Sequence, residues 1–554
     1  MSDIQSRAAQ KVLLCDLPHE LLVKVLLNLD GLSLLRVRQT GVRLCKLIKE
    51  EMVLQYSLEL SIAGMEDGPE NAPFTTEERM ARLKEYASSW ERLRFHDPET
   101  CKVRHPNLWG VTGGLLYYGE IDVQKRTTTL VFRKLPSRTR CIEGWIRTHE
   151  VPVRALLFTA DLSQDLFVFA YKRPSSASYS VTLRIAFNHI STGRSHMDAN
   201  RPFIDHAIPF EANETTIFDV GICANFVTIS CKHLVQDDAQ HLENGGYRYP
   251  ETFIFVYDWH TGALTFRIQG HIQDFAFLSH KHVLLIATPQ TTPCACMLVV
   301  VNLNNQPTPD RCYVAKTLLL PKFLPGSRIP DVLAHSLSRF APVGGFAASD
   351  RVPFRTTPES RLVTITFRST HGNPLIFCVP LSTISPFMNS ESREVSELSE
   401  CMDHGIPWED WGEKGSSIIT MAGIPDVCFT WGNRCAFLSA RIRARYIMVC
   451  DFNPLALKRR MGTTEVQLRG GPSQRFPLLV LDPNTESKGE TFVDDVTTSL
   501  PYWMGNAGRL HAQEVIILED HLVFVTDRSW DDGGGGGGGD DDNDNDCYWF
   551  EIYQ

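Results

Sequence analysis

A chain of 554 residues exceeds the ~250–300 residues at which one hydrophobic core stops growing, so more than one domain is expected. Its 43% hydrophobic and 10% aromatic content is that of a globular protein, and a net charge of −10 with no long basic stripe argues against a general nucleic-acid binder. No stretch approaches ~20 uninterrupted apolar residues, and the opening MSDIQSRAAQKVLLCDLPHE lacks the charged start, apolar centre and small-residue cleavage site of a signal peptide. The expectation is therefore no membrane span, no secretion, and a cytoplasmic or nuclear location.

Residues 1–12 read as a flexible start. From Pro18 to Glu51 the apolar residues recur three and four apart, the spacing of helices: Leu17, Leu21, Leu22, Val25, Leu26 and Leu29, then Leu32, Leu34, Leu35 and Val37, then Val42, Leu44, Leu47 and Ile48. Asp16 is placed to cap the first helix, with Pro18 preset for its first turn. Asp30-Gly31 breaks the run, a second helix begins near Ser33, and Gly41 weakens its junction with a third. So small a unit hides too little of its own area to bury all of that leucine within itself. After the loop AGMEDGPENAP, a longer helix is expected over 74–95, capped by Thr75 or Thr76. Glu77 and Glu78 sit in its first turn, and Met80, Leu83, Tyr86, Ala87, Trp90 and Leu93 lie along one face.

Beyond about residue 105 the texture changes to strands. TTTLVFRKL, DLFVFAY, SVTLRIAF, TFIFVYDW, HVLLIAT, RLVTITFRS and RYIMVCDF are short, rich in Val, Ile, Phe and Thr, and separated by turn residues. Asp258 and Asn302, ending comparable strands, stand 44 positions apart, within the ~40–45-residue period of propeller blades. Asn188 ends an earlier copy. Its 70-residue interval to Asp258 takes in the polar stretch VQDDAQHLENGGYRYPE, which absorbs the excess. The fifteen cysteines, Cys15, Cys45, Cys223, Cys231, Cys378 and Cys450 among them, are scattered singly, as suits reduced thiols in a core.

The segment LPHELLVKVLLNLDGLSLLRVRQTGVRLCKLI resembles an F-box, in its Leu17-Pro18-x-Glu20-Leu21-Leu22 start, its Val25-Leu26 and Leu29 positions, and its Leu34-Leu35-Arg36-Val37-Arg38-Gln39 run. Many F-boxes carry a tryptophan or another large residue where this chain has Leu44. LQYSLELSIAGMEDGP, ERMARLKEYASSWERLRF and KLPSRTRCIEGW extend the resemblance to a group of fungal F-box proteins with β-rich, propeller-like C-terminal regions. The resemblance implies an α+β multidomain chain: an F-box at 13–60, a linker at 61–104 holding the 74–95 helix, and a WD40-like propeller of about seven degenerate blades at 105–554. It also implies a role, that of the substrate-recognition adaptor of a ubiquitin ligase, docking a Skp1-like linker and its cullin complex while the propeller holds a client protein. The docking residues it implies are Leu17, Pro18, Leu21, Leu22, Val25, Leu26, Leu29, Leu34, Leu35, Val37, Leu44 and Ile48. The other readings are a propeller scaffold outside any ligase, and a propeller enzyme.

Signals for chemistry are weak. Seven glycines, Gly533 to Gly539, satisfy a phosphate-loop pattern trivially, but Asp531, Asp532 and Asp540 flank them and no helix follows. Asp540, Asp542, Asp544 and Glu551 have EF-hand spacing, yet position six is Asn545 rather than glycine, so 531–546 reads as a disordered loop. Cys294-x-Cys296 and His280-x-His282 have the spacing of one strand face but lack a second ligand pair. His19-Glu20 lacks a second histidine, and no nucleophile elbow or Walker loop is present. No catalytic residue, metal or cofactor is assigned. Client contacts are expected in loops around 236–251, 323–360 and 401–416. Trp408 and Trp411 serve there as interface anchors if exposed, or as packing between blades if buried.

Overall fold

The computed structural model describes residues 14–93, 98–104, 108–173, 181–208, 216–233, 251–289, 295–306, 308–309, 311–324, 351–367, 375–420, 428–441, 444–463, 478–480, 492–509, 512–527 and 547–554. Residues 1–12, the Gly/Asp run at 531–546 and most of the loops at 236–251 and 323–360 lie outside them.

Two units emerge. The first takes Met1–Arg92 together with two segments from far along the chain, Arg351–Thr357 and Asn453–Glu465. Its helices are α1 (His19–Leu26), α2 (Gly31–Val37), α3 (Val42–Glu50), α4 (Met52–Ala63) and α5 (Thr76–Arg92). Pro18 is the N-cap of α1 and makes no capping bond, so α1 starts one residue later than Pro18 suggested and Asp16 ends a short 3-10 turn instead. α2 begins two residues earlier than expected, because the Asp30 carboxylate accepts the Ser33 N–H at 2.7 Å and caps it. That same bond, first among its causes, holds the Asp30 carboxyl below the usual range. The cap of α5 is Thr75: Glu78 accepts its N–H at 2.8 Å while Thr75 Oγ1 accepts the Glu78 N–H at 3.3 Å.

Helix α4, not read as a helix from the sequence and lying mostly within the 13–60 segment assigned to the F-box, supplies Leu54 to a core with Leu22, Leu26, Leu34, Leu44, Leu47 and Ile48. It ends at Gly64, whose φ of +71° is the left-handed turn that glycine allows. Strand Met65–Asp67 then pairs antiparallel with Phe354–Thr356. Arg79, on α5 and only 6% exposed, reaches Asp67 at 2.5 Å and the carbonyls of Pro69 and Pro353 at 2.9 and 3.2 Å. The 454–463 helix packs here too: Asn453 Nδ2 donates to Ile62 O at 2.8 Å, and Arg459 pairs with Glu59 at 2.5 Å.

The second unit is a seven-bladed β-propeller of antiparallel sheets. Blade one holds Trp109–Thr112, Leu115–Asp122, Thr127–Lys134 and Trp145–Val151. Blade two holds Leu157–Asp161, Leu166–Arg173, Thr182–His189 and Phe203–Ala207. Blade three holds Thr216–Cys223, Phe226–His233, Glu251–Asp258 and Ala263–Gly270. Blade four holds Ile272–Ser279, His282–Ala287, Met297–Asn302 and Cys312–Leu319, with Arg393–Val395 added at its edge. Blade five is Leu362–Phe367, Leu375–Pro380 and Ser417–Thr420; blade six is built on Phe429–Trp431, Arg434–Arg441, Ala444–Asp451 and Tyr502–Arg509. Blade seven joins Glu514–Ile517, Leu522–Asp527 and Cys547–Tyr553 to Glu99–Arg104, so a strand from before blade one closes the ring on the last strand of the chain.

Asn188, Asp258 and Asn302 fall in the third strands of blades two, three and four, as the repeat predicted. Each turns the chain with its side chain: Asp258 accepts the Thr261 N–H at 2.8 Å, Asn302 accepts the Asn304 N–H at 3.0 Å, and Asn188 Nδ2 donates to Gly193 O at 2.8 Å. The strands of this unit begin at Glu99, ahead of the boundary at 105 read from the sequence, because the closing strand precedes blade one.

Candidate partner-binding site

Helix α1 is apolar on two faces. Leu22 and Leu26, each 1% exposed, point into the helical core, whereas Leu21 and Val25, four residues apart on the adjoining face about 100° round the helix, are 49% and 41% exposed. Pro18 at the N-cap, Leu14 in the turn before it and Leu27 after it are exposed as well.

The twelve docking residues implied by the resemblance therefore divide. Leu22, Leu26, Leu34, Leu44 and Ile48 are buried in the unit's own core. Leu17, Leu29, Leu35 and Val37 are half-buried, and Pro18, Leu21 and Val25 are exposed. The unit thus hides more of its leucine surface than its size suggested, because Leu54 and Val53 of α4 add to its core. Val42 at the start of α3, 87% exposed, is in the helical periodicity read from the sequence but not among the docking residues, and Met52 at the start of α4, also exposed, was not singled out from the sequence. Each opens a helix, and Val42 stands two positions before Leu44 rather than three or four, which was the available signal. His19 Nε2 lies 2.7 Å from Glu51 Oε1, tying the start of α1 to the end of α3.

In the propeller the two tryptophans are packing. Trp408 and Trp411, each 5% exposed, meet edge to face at 5.1 Å, and Trp408 stands against Phe377 at 5.7 Å. Trp411 Nε1 donates to Leu319 O at 3.0 Å. Of the two sequence readings the buried one holds, since these rings fill the core that includes blades four and five and offer no anchor to solvent.

A cleft of about 310 Å³, partly open to solvent, lies where the Gly113-Gly114 turn and the 135–142 connection of blade one meet the 518–521 turn of blade seven. Arg140 lies 2.7 Å from Glu519 and donates to Asp520 through both Nε and Nη2, and all three side chains are about 4% exposed or less. His521 Nε2 is 2.7 Å from Pro136 O, and burial, the largest influence, pushes its pKa down. These charges are spent on one another, which makes the cleft a clasp between the first and last blades.

The other signals weighed for chemistry do not assemble. His280 lies in the turn after Ile272–Ser279 and is exposed, while His282 opens the next strand, is buried and meets Ser279 Oγ at 2.9 Å, so the two share no strand face. Cys294 and residues 540–546 lie outside the described residues. Glu551 sits in the closing strand and accepts from Tyr553 Oη at 3.2 Å. Among the described residues no group of three or more His, Cys, Asp or Glu is arranged to hold a metal ion. Burial pushes the thiols of Cys231, Cys296 and Cys312 up to about 12, which keeps them protonated. No helix among the described residues is long and apolar enough to cross a membrane.

No family model matches the sequence, and no curated protein matches it. Among solved structures, cobalt-substituted Synechocystis ACO is similar at 8% identity and a TM-score of 0.25, over 55% of this chain and 61% of that one. A mutant of the Synechocystis apocarotenoid oxygenase gives 9%, 0.24 and the same coverage. The tricorn protease gives 9% and 0.22, over 76% of this chain and 41% of its own. The chain thus spans under two thirds of those proteins, and TM-scores this low carry no argument about activity.

Proposed function

We propose that this chain is a non-catalytic substrate-recognition adaptor of a Skp1-cullin-F-box ubiquitin ligase. The helical unit docks the Skp1-like linker through the outward face of α1, and the seven-bladed propeller carries the client protein. The observation that supports it is the second apolar face of α1. Leu21 and Val25, with Pro18 beside them, are left to solvent by a helix whose adjoining Leu22 and Leu26 face is packed, and such a face gains about 25 cal/mol for each Å² that a partner covers. A propeller suits the second task because it presents many loops on a rigid frame.

Affinity purification of the full chain tests this. Recovery of a Skp1-like protein and a cullin with the wild type, and loss of both with Leu21→Lys combined with Val25→Lys at an unchanged thermal melt, is the expected result. Recovery of the linker without a cullin favours the scaffold reading. Equal recovery by wild type and variant, or recovery of neither protein with the wild type, removes the docking face.

A further inference from the structure

In blade two the strand Thr182–His189 is joined to Phe203–Ala207 by residues 190–202, most of whose side chains face solvent: Ser191, Thr192, Arg194, Ser195, Met197 and Asp198 are exposed. Ile190, fully buried, and His196, 4% exposed, are the exceptions. Beyond Ile190 this connection hides little apolar area and is held by hydrogen bonds, several of them supplied by two imidazole rings.

Each ring accepts a backbone N–H, and a backbone N–H can only donate. Met197 N donates to His189 Nε2 at 3.2 Å, so that nitrogen is bare and the proton is on Nδ1, 3.1 Å from Asp165 Oδ2. Asp198 N donates to His196 Nδ1 at 3.3 Å, so the proton there is on Nε2, 3.1 Å from Gln164 O. Both rings are therefore neutral, in opposite tautomers, and they stack with centroids 3.8 Å apart. A proton added to either ring evicts a backbone donor, and a second one sets two cations in contact.

We propose that His189 and His196 form a proton-sensitive clasp that holds the 190–202 connection of blade two at neutral pH and releases it on acidification. The groups facing the pair come from every side. Asp165 stands in the turn before Leu166–Arg173 and also accepts Ser191 N at 2.8 Å. Asp198 Oδ2 lies 3.9 Å from His196 Nδ1. From blade three, Trp259 meets His196 edge-on at 4.9 Å, and His260 Nδ1 is 3.3 Å from Asp198 O. From blade one, His149 Nε2 is 2.8 Å from Ile190 O. The two carboxylates favour a cationic ring, but burial outweighs them at His196 and lowers its pKa. The His196 half of the clasp is complete above the ordinary histidine value near 6.5 and is lost as pH falls through the lowered one. The inference stands apart from the adaptor reading, since it concerns the propeller alone.

Amide hydrogen exchange of the full chain at pH 7.5 and pH 5.0, corrected for intrinsic rates, tests it. The Met197 and Asp198 amides should lose protection at pH 5.0, while the strands of blade two stay protected. His189→Gln with His196→Gln should abolish that step. Where the double variant does not fold, titration of the imidazole Cε1–H signals in the wild type, followed beside the Met197 and Asp198 amide shifts, gives the same decision. Equal protection at both pH values, a step that survives the double substitution, or imidazoles that titrate without any amide response would each overturn the clasp.

Discussion

At single residues the decisive variable is which way an apolar or charged group faces. Leu44, where the resemblance places a larger side chain, is 6% exposed and packs in the helical core, so Leu44→Ala should cost about 2–5 kcal/mol of stability. Leu21→Ala, on the open side of α1, should cost no more than about 0.5 kcal/mol; urea midpoints compare the two. Arg140 carries a different load. Arg140→Leu strands Glu519 and Asp520 without their cation in a buried site, with an expected loss of about 3–5 kcal/mol that chemical denaturation at pH 7 would register. Protonation adds to this picture. Burial lowers His206 to about 4 and also lowers His282 and His521. Stability from these buried neutral rings is complete above about 6.5 and drains away toward pH 4, so the thermal midpoint should fall monotonically across that interval. A flat midpoint would contradict it.

At the level of elements, two segments that look like parts of the β region belong to the helical unit, and one residue shows how. Asn453 Nδ2 donates to the carbonyls of Ser61 and Ile62 in the last turn of α4, while its Oδ1 accepts Leu455 N at 3.0 Å at the start of the 454–463 helix. It thus serves unpaired groups at two helix ends at once. Asn453→Ala should destabilise by about 1–2 kcal/mol, and Asn453→Asp, which keeps the acceptor and loses the donor, should fall between it and the wild type in thermal melts. The Asn-Pro pair at 453–454 is a helix-start signature legible in the sequence. What it packs against is not, since its partner on α4 lies some 390 residues away. Gly31 makes a similar point. A Cβ there would stand 2.3 Å from Ser61 Cβ, so α2 approaches α4 only because position 31 is bare, and Gly31→Ala should cost about 1–3 kcal/mol in the same assay.

For the whole molecule, the propeller is a ring closed by exchange. Cys547–Tyr553 pairs with Leu522–Asp527 on one side and with Glu99–Arg104 on the other. Removing residues 547–554 therefore takes out the strand through which both ends of the ring meet. Truncation there should abolish the cooperative melt of the propeller and expose two strand edges that pair between molecules, seen as aggregation in size-exclusion chromatography. The sequence by itself determined the helices of the opening segment, the short strands and the recurring strand-end Asn188, Asp258 and Asn302. These are periodicities and turn chemistries carried by residues a few positions apart. Only the tertiary structure decided which face of α1 is covered, that Trp408 and Trp411 are core, that 354–356 and 454–463 leave the β region, and that 99–104 completes the last blade. A pattern such as that of α1, apolar on two adjoining faces, fixes a helix but not its neighbours. The face that is buried meets leucines of α2, α3 and α4, while the chain that returns from hundreds of residues away packs on α4, and local spacing holds no record of that return.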